Sequence, residues 1–316
     1  YNMLTVNPVT GDIYYGTTSA GQFYAITPEG ELKWIFSEAG SMKSAAPAVN
    51  ANGTVVYICD ALGKAFAIDA ASGQKKWQFS AGDAGRGLLV NGSELLIGTQ
   101  TDAFFVNIET GEQIAKVTLG CEMSDITGFA VNSDKTLAYF GGRNGYIGAV
   151  NIKTHEAIKS LVVEKDNPNL LYEPVVAPNG SVFAGSKNGS VYNVKGDLSA
   201  VNWEYVHTGS SLANAFNYSH PCVDSENRFY ITSGQTSNTT YIFDASGNVV
   251  DSWTYESGDN NQKQMGGNNY LDGVIYSAFI GGSSKNGVFV GKYVGGERAS
   301  SWSTHGGDIC GSCCVK

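Results

Sequence analysis

The sequence predicts an all-β protein, a seven-bladed β-propeller of four-stranded antiparallel blades. Three observations lead there. First, one phrase recurs: an apolar strand end, a turn built on Gly, and a short strand closing on Trp. It reads AITPEGELKW at 25–34, AIDAASGQKKW at 67–77 and FDASGNVVDSW at 243–253. Second, the phrase has a period. Trp34, Trp77, Trp203, Trp253 and Trp302 occupy one place in it, Val117 and Leu161 stand there in two further copies, and the steps between markers are 43, 40, 44, 42, 50 and 49 residues. Third, the apolar runs are short, rich in Val, Ile, Thr, Tyr and Phe, and show no amphipathic helix of three turns. A period of about 40–50 residues with four short strands per unit is the mark of a propeller blade.

The units follow in order as 1–37, 44–80, 86–119, 125–164, 171–207, 216–256 and 266–305, with a Cys-rich tail at 306–316. The second unit shows the strands best. SAAPAVNANG supplies the inner strand and a turn, TVVYICD the second strand, GKAFAIDAASG the third, and QKKWQFS the outer edge. The fifth repeats this as YEPVVAPNG, SVFAGSKNG, SVYNVKGD and VNWEYVH, and the sixth as SHPCVDSEN, RFYITSG, TTYIFDASG and VVDSWTY. Asn-Gly pairs at 52–53, 91–92, 144–145, 179–180, 188–189 and 286–287 read as type I′ hairpin turns. Several of them, including those at Asn52, Asn91 and Asn179, also form Asn-Gly-Ser/Thr glycosylation sequons, but the turn explains every copy. The Trp is expected to fill the gap between neighbouring blades and to donate its N–H to a backbone acceptor. The Gly is expected to make the turn that brings the ring back.

Net charge is −9, which argues against a phosphate-backbone partner. No apolar run approaches the roughly 20 residues that a membrane span needs. Few Lys and a surface rich in Asn, Thr, Ser and Gly give an extracytoplasmic expectation, in the periplasm or at the cell surface. The chain begins at Tyr1 and reads as a monomeric domain of a longer bacterial protein.

Residues 57–77, YICDALGKAFAIDAASGQKKW, resemble the pyrroloquinoline-quinone (PQQ)-type repeat, in which an aliphatic-Tyr strand leads through Ala-aliphatic-Asp and a Gly turn to Trp. The resemblance extends, with weaker copies, over nearly the whole chain. It implies a propeller of the quinoprotein-dehydrogenase-like superfamily, whose members include enzymes and non-catalytic scaffolds. Its enzymes usually have eight blades, a Ca²⁺ held by Glu, Asn and Asp beside the quinone, a catalytic Asp, and a disulfide between adjacent cysteines. This chain phases to seven units. Its adjacent cysteines, Cys313 and Cys314, lie beyond the last unit, and no run aligns with the Ca²⁺ ligands. The reading therefore expects no catalytic residue, no cofactor and no metal.

Of the other cysteines, Cys59 and Cys222 read as small buried hydrophobes. In the tail, HGGDICGSCCVK, Cys310 and Cys313 have zinc-ligand spacing with His305 nearby. A disulfide within the tail, a bridge from it to Cys121, and unpaired thiols are the other readings. His155 lies in a hairpin turn where other copies have Gly, and His207 ends an outer strand. No GxSxG, HExxH or EF-hand loop is present.

A propeller places ligands at one mouth of its central channel, lined by the loops that lead into the innermost strands. Those loops supply Lys43, Arg86, Asp125, Tyr172, Glu173, Tyr218, His220, Asn268 and Asn269 as candidate ligand-binding residues. Amides, carboxylates and aromatic faces there suit a glycan or a peptide, although loops are polar in any protein. The expected function is non-catalytic binding or scaffolding, with a glycan or protein at the channel mouth. The alternatives are a PQQ/Ca²⁺-dependent dehydrogenase, a propeller lyase or hydrolase using His220, Arg86 and Glu173, and an assembly scaffold, which apolar exposed blade edges would favour.

Overall fold

The computed structural model describes residues 4–18, 21–42, 45–125, 127–164, 169, 171–206, 216, 220–233, 239–254, 263–271, 273–280, 287–294 and 314–315, with 263–271, 276–280, 287–292 and 314–315 described in backbone only. Every regular element among them is a strand. The first sheet orders β1 (Leu4–Val6), β2 (Ile13–Gly16), β3 (Phe23–Ile26) and β4 (Leu32–Phe36). The second has β5 (Ala48–Val49), β6 (Val55–Cys59), β7 (Lys64–Asp69) and β8 (Lys75–Ser80). The third has β9 (Gly87–Asn91), β10 (Glu94–Gly98), β11 (Asp102–Asn107) and β12 (Gln113–Thr118). The fourth has β13 (Ala130–Val131), β14 (Leu137–Gly141), β15 (Tyr146–Asn151) and β16 (Glu156–Val162).

The fifth sheet has β17 (Val175–Val176), β18 (Val182–Gly185), β19 (Ser190–Val194) and β20 (Val201–Val206). The sixth has β21 (Cys222–Val223), β22 (Phe229–Ser233), β23 (Thr239–Phe243) and β24 (Val249–Thr254). All six are antiparallel meanders. The last repeat forms a sheet of three described strands, β25 (Lys263–Leu271), β26 (Val274–Ile280) and β27 (Gly287–Tyr293), and starts three residues before the expected 266. A final strand, β28 (Cys314–Val315), joins the third sheet beside β9.

Burial explains the strand composition. From the second sheet to the sixth, the second and third strands are covered on both faces and mainly apolar, whereas β2 and β3 of the first sheet alternate buried with half-buried residues. β6, VVYIC, is buried at every residue. The fourth strand has a neighbour on one side only, and β4, LKWIF, alternates exposed Ile35 with buried Trp34 and Phe36. First strands of successive sheets touch, β5 with β9, β13 with β17, β17 with β21 and β21 with β25, so the inner edges converge.

The repeated phrase is the contact that joins one sheet to the next. Trp34 on β4 donates its Nε1–H to the Ala70 carbonyl of the second sheet at 3.0 Å. Trp77 donates to Ile108 of the third at 2.9 Å, and Trp203 to Ala245 of the sixth at 2.9 Å. The Gly that matters to each ring belongs to the following sheet. A Cβ on Gly73 would stand 2.7 Å from Trp34, one on Gly111 2.7 Å from Trp77, and one on Gly247 2.6 Å from Trp203. These glycines also have φ of +73°, +74° and +91°, where a side chain is strained. Gly is thus required twice over, by the turn and by the ring of the preceding blade.

The two copies without Trp obey the same geometry. Val117 replaces Trp in the third sheet, and the matching turn carries His155, at φ +55°, in place of Gly. The imidazole packs 4.1 Å from the Phe105 ring, and its Nε2 lies 3.0 Å from Glu94 Oε2. The carbonyl of Ile152, left without a Trp, accepts from Asn91 Nδ2 at 3.3 Å. In the next interface Leu161 replaces Trp and Leu198, at φ +55° and buried, replaces Gly, while Tyr139 donates its hydroxyl to Gly196 O at 2.6 Å.

The turn chemistry departs from expectation. Only Asn144–Gly145, with φ of +56° and +74°, has both residues in the left-handed region. At Asn52, Asn91, Asn179 and Asn188 only the Gly does. Asn52, Asn179 and Asn188 lie in longer loops, whereas Asn91 ends β9 opposite Glu94 and leaves Gly92–Ser93 as a two-residue loop with Gly at its first position. Residues 281–286, and so the Asn286 turn, lie outside the described residues.

The interface generates a mutational prediction. Gly73→Ala should cost about 2 kcal/mol or more by urea unfolding, through overpacking and backbone strain. Trp34→Ala should cost about 3 kcal/mol. The double variant should fall short of their sum by about 1 kcal/mol or more, because the ring that the added methyl group strikes is gone. Strict additivity would show that the ring does not impose the Gly.

Candidate functional site

In an up-and-down blade, the loop before the first strand and the turn between the second and third open on the same face. The structure uses both. Arg86 precedes β9 and Asp125 precedes β13, whereas Gln100 lies on the β10–β11 turn and Arg143 on the β14–β15 turn. Arg86 Nη1 and Arg143 Nη2 both bond Asp125 Oδ1, the latter at 2.5 Å. Arg86 Nη2 reaches Gln100 Oε1 at 3.4 Å, and Gln100 Nε2 donates to Glu122 Oε2 at 2.9 Å.

This rim is partly open. The side chain of Asp125 is 42% exposed and that of Arg143 32%, while Arg86 is buried. Burial alone would raise the Asp125 pKa, but the Arg143 and Arg86 guanidiniums outweigh it and hold the carboxyl below its usual range. The Nε atoms of both arginines are buried without a hydrogen-bond partner.

A second pair lies between the fifth and sixth sheets. His220 Nδ1 is 3.3 Å from Glu173 Oε2, and both residues are buried. Burial pushes the His220 pKa down to about 4, so the imidazole is neutral at pH 7. Gly128 makes room for the carboxylate, since a Cβ there would stand 2.6 Å from Glu173 Oε1.

The expected residues therefore fall into two pairs, Arg86 with Asp125 and Glu173 with His220. Among the described residues, Arg86 is hydrogen-bonded to Asp125 and Gln100 and not to Glu173 or His220. Tyr172 is 1% exposed, and its ring offers no open stacking face. Asn268 and Asn269 pair with Ser277 and Tyr276 in the β25–β26 ladder and are described in backbone only. Lys43 and Tyr218 lie outside the described residues, as do Trp302, His207, His305, Cys310 and Cys313. Arg143 and Gln100 escape a sequence frame that considers only loops leading into first strands. Arg-Asn-Gly at 143–145, a charged residue beside a tight second-to-third turn, is the signal that could have found the arginine.

No group of three or more His, Cys, Asp or Glu is placed to hold a metal among the described residues. Cys59, Cys121 and Cys222 are free thiols, so the bridge from Cys121 to the tail is not formed. Burial pushes the Cys59 thiol up to about 12 and the Cys121 thiol up to about 11. Both are unreactive at neutral pH.

The outer membrane protein assembly factor BamB family matches residues 4–205, more than half of the chain, and the chain belongs to that family. Its fold is similar to that of BamB from Moraxella catarrhalis, with a TM-score of 0.71 at 15% identity, covering 92% of this chain and 84% of that one. It is also similar to the Cps50 (Swd1) β-propeller domain of Myceliophteria thermophila, with a TM-score of 0.64 at 11% identity, covering 93% of this chain and 97% of that one. Identities this low show the fold alone. No curated protein matches the chain.

The His220 environment sets a pH dependence. The unfolded state binds a proton below about pH 6.5 that the folded state refuses until about pH 4, so stability falls as pH drops through that window. The loss from this group reaches up to about 3 kcal/mol. His220→Asn should remove that part of the slope in urea unfolding measured from pH 7 to pH 4. An unchanged slope would mean that His220 is not held neutral.

Proposed function

We propose that this member of the BamB family is a non-catalytic, protein-binding scaffold. It is a seven-bladed propeller over residues 1–305, periplasmic or associated with the outer membrane, and it takes part in assembling outer-membrane proteins. The observation that carries the site is Asp125, held on a half-exposed rim between two guanidiniums. The pair leaves Asp125 Oδ2 to meet a partner's polar groups, with orientations set beforehand, so little ordering is lost on binding. Charged rims of this kind set specificity and association rate. Family membership supports a protein partner. Apolar exposure supports it as well, because several exposed large hydrophobics lie on outer strands: Leu32 and Ile35 on β4, Ile114 on β12, and Val249 and Val250 on β24. The glycan reading has less support, since the described aromatic at the mouth, Tyr172, is buried.

The test is capture of envelope proteins by the purified chain carrying a photo-crosslinker at Glu122. A component of outer-membrane protein assembly should crosslink, and Arg143→Glu should weaken capture by roughly tenfold or more, about 1.4 kcal/mol. Val250→Asp, on the apolar outer edge, should weaken capture less than Arg143→Glu does. Loss with Val250→Asp but not with Arg143→Glu would move the site to the blade edge. A rise in melting temperature with PQQ and Ca²⁺ would overturn the non-catalytic reading.

A further inference from the structure

We infer that the inner edge of the third blade is a strand-accepting groove in the central channel, and that its occupant is this chain's own C-terminal segment. Two independent observations carry this. β28 pairs in parallel with β9, Cys314 opposite Val90 and Val315 opposite Asn91, which makes the third sheet five-stranded. β9 is also built differently from its counterparts. It runs for five residues and pairs with β10 along its whole length, whereas β1 runs for three and β5, β13, β17 and β21 for two each; β25 of the last sheet is longer, at nine.

The physical reason is the edge itself. A first strand of two residues leaves little unpaired backbone facing the channel, whereas a strand of five presents a row of N–H and C=O groups that need partners. A parallel strand supplies them. The last sheet has three described strands, and the chain end returns to the third sheet instead of extending its own. The groove also adjoins the rim, because Arg86 immediately precedes β9. The docked tail thus braces the strand on which the arginine is mounted, and ties the chain end to a blade far from it in sequence.

Register supplies the test. Directly paired residues of neighbouring strands lie within disulfide reach. In the full chain with Cys310→Ser and Cys313→Ser, Val90→Cys should form an intramolecular disulfide with Cys314 under mild oxidation, located by peptide mapping. Val49→Cys on β5 and Val131→Cys on β13 should form it at least about tenfold more slowly. Hydrogen exchange gives a second readout without new cysteines. The amides of Leu88–Asn91 that face away from β10 should lose about tenfold protection when residues 312–316 are deleted, with β13 and β17 unaffected. Equal crosslinking at all three positions, crosslinked dimers alone, or unchanged exchange in β9 would each overturn the assignment.

Discussion

Each of the first five sheets depends on a contact with the next: an outer-strand position set against the following hairpin. A blade cannot bury both faces alone, so the fold exists only as a series of such contacts. Where the contact is Trp on Gly, the indole covers the bare backbone of a left-handed turn and its N–H satisfies a carbonyl there. At Trp34 and Trp77 that bond is buried, so the carbonyl would otherwise lack a partner; at Trp203 it is exposed. The two partners are far apart in the chain but form one structural unit. When the ring shrinks to Val117 or Leu161, the turn residue grows to His155 or Leu198, and Asn91 or Tyr139 takes over the hydrogen bond. Volume and polarity are conserved across the interface even where neither residue is.

That coupling shows why some features can be read in the sequence and others cannot. The strands of the second, fifth and sixth units are legible because hydrophobic runs and turns are local signals. A Trp donating to a backbone acceptor follows from its chemistry. The partner of the Gly does not, since the contact crosses between repeats about 40 residues apart, and a single unit shows only the turn. Asn-Gly pairs point to one turn type, although dipeptide identity leaves loop length open and loop length selects the turn. The candidate site shows the same limit. Loops leading into first strands point to Arg86 and Asp125, but Arg143 arrives from a different class of turn that happens to open on the same face.

The two polar pairs have different physical roles. Glu173 and His220 are sealed, and burial of the imidazole holds it neutral. A hydrogen-bonded neutral partner for a buried carboxylate positions the loops of the fifth and sixth blades without presenting anything to solvent. Asp125 and Arg143 are half-exposed and charged, so water shares in stabilising their orientation. Removing one guanidinium there changes what the surface offers, whereas removing His220 changes how the surface is held. Surface charge and internal packing at this mouth are therefore separable by residue.

Among the first six sheets, the departures from Trp on Gly and from a short inner strand fall in the third, fourth and fifth blades, the last through Leu198 opposite Leu161. The third has a five-residue inner strand, the added β28 and Val117 in place of Trp, and the fourth has His155 in place of Gly and supplies Arg143 and Asp125 to the rim. An array stabilised by nearest-neighbour contacts has no structural need to vary its interfaces. Variation gathered in one sector is what is expected where local rules yield to a task that the other blades do not share. His155 reaches back to Glu94 on β10, β10 pairs with β9, and β9 carries both the tail and the residue next to Arg86. A continuous path of hydrogen bonds thus links the altered interface, the channel edge and the rim. The rest of the ring serves as the frame that holds this sector in place.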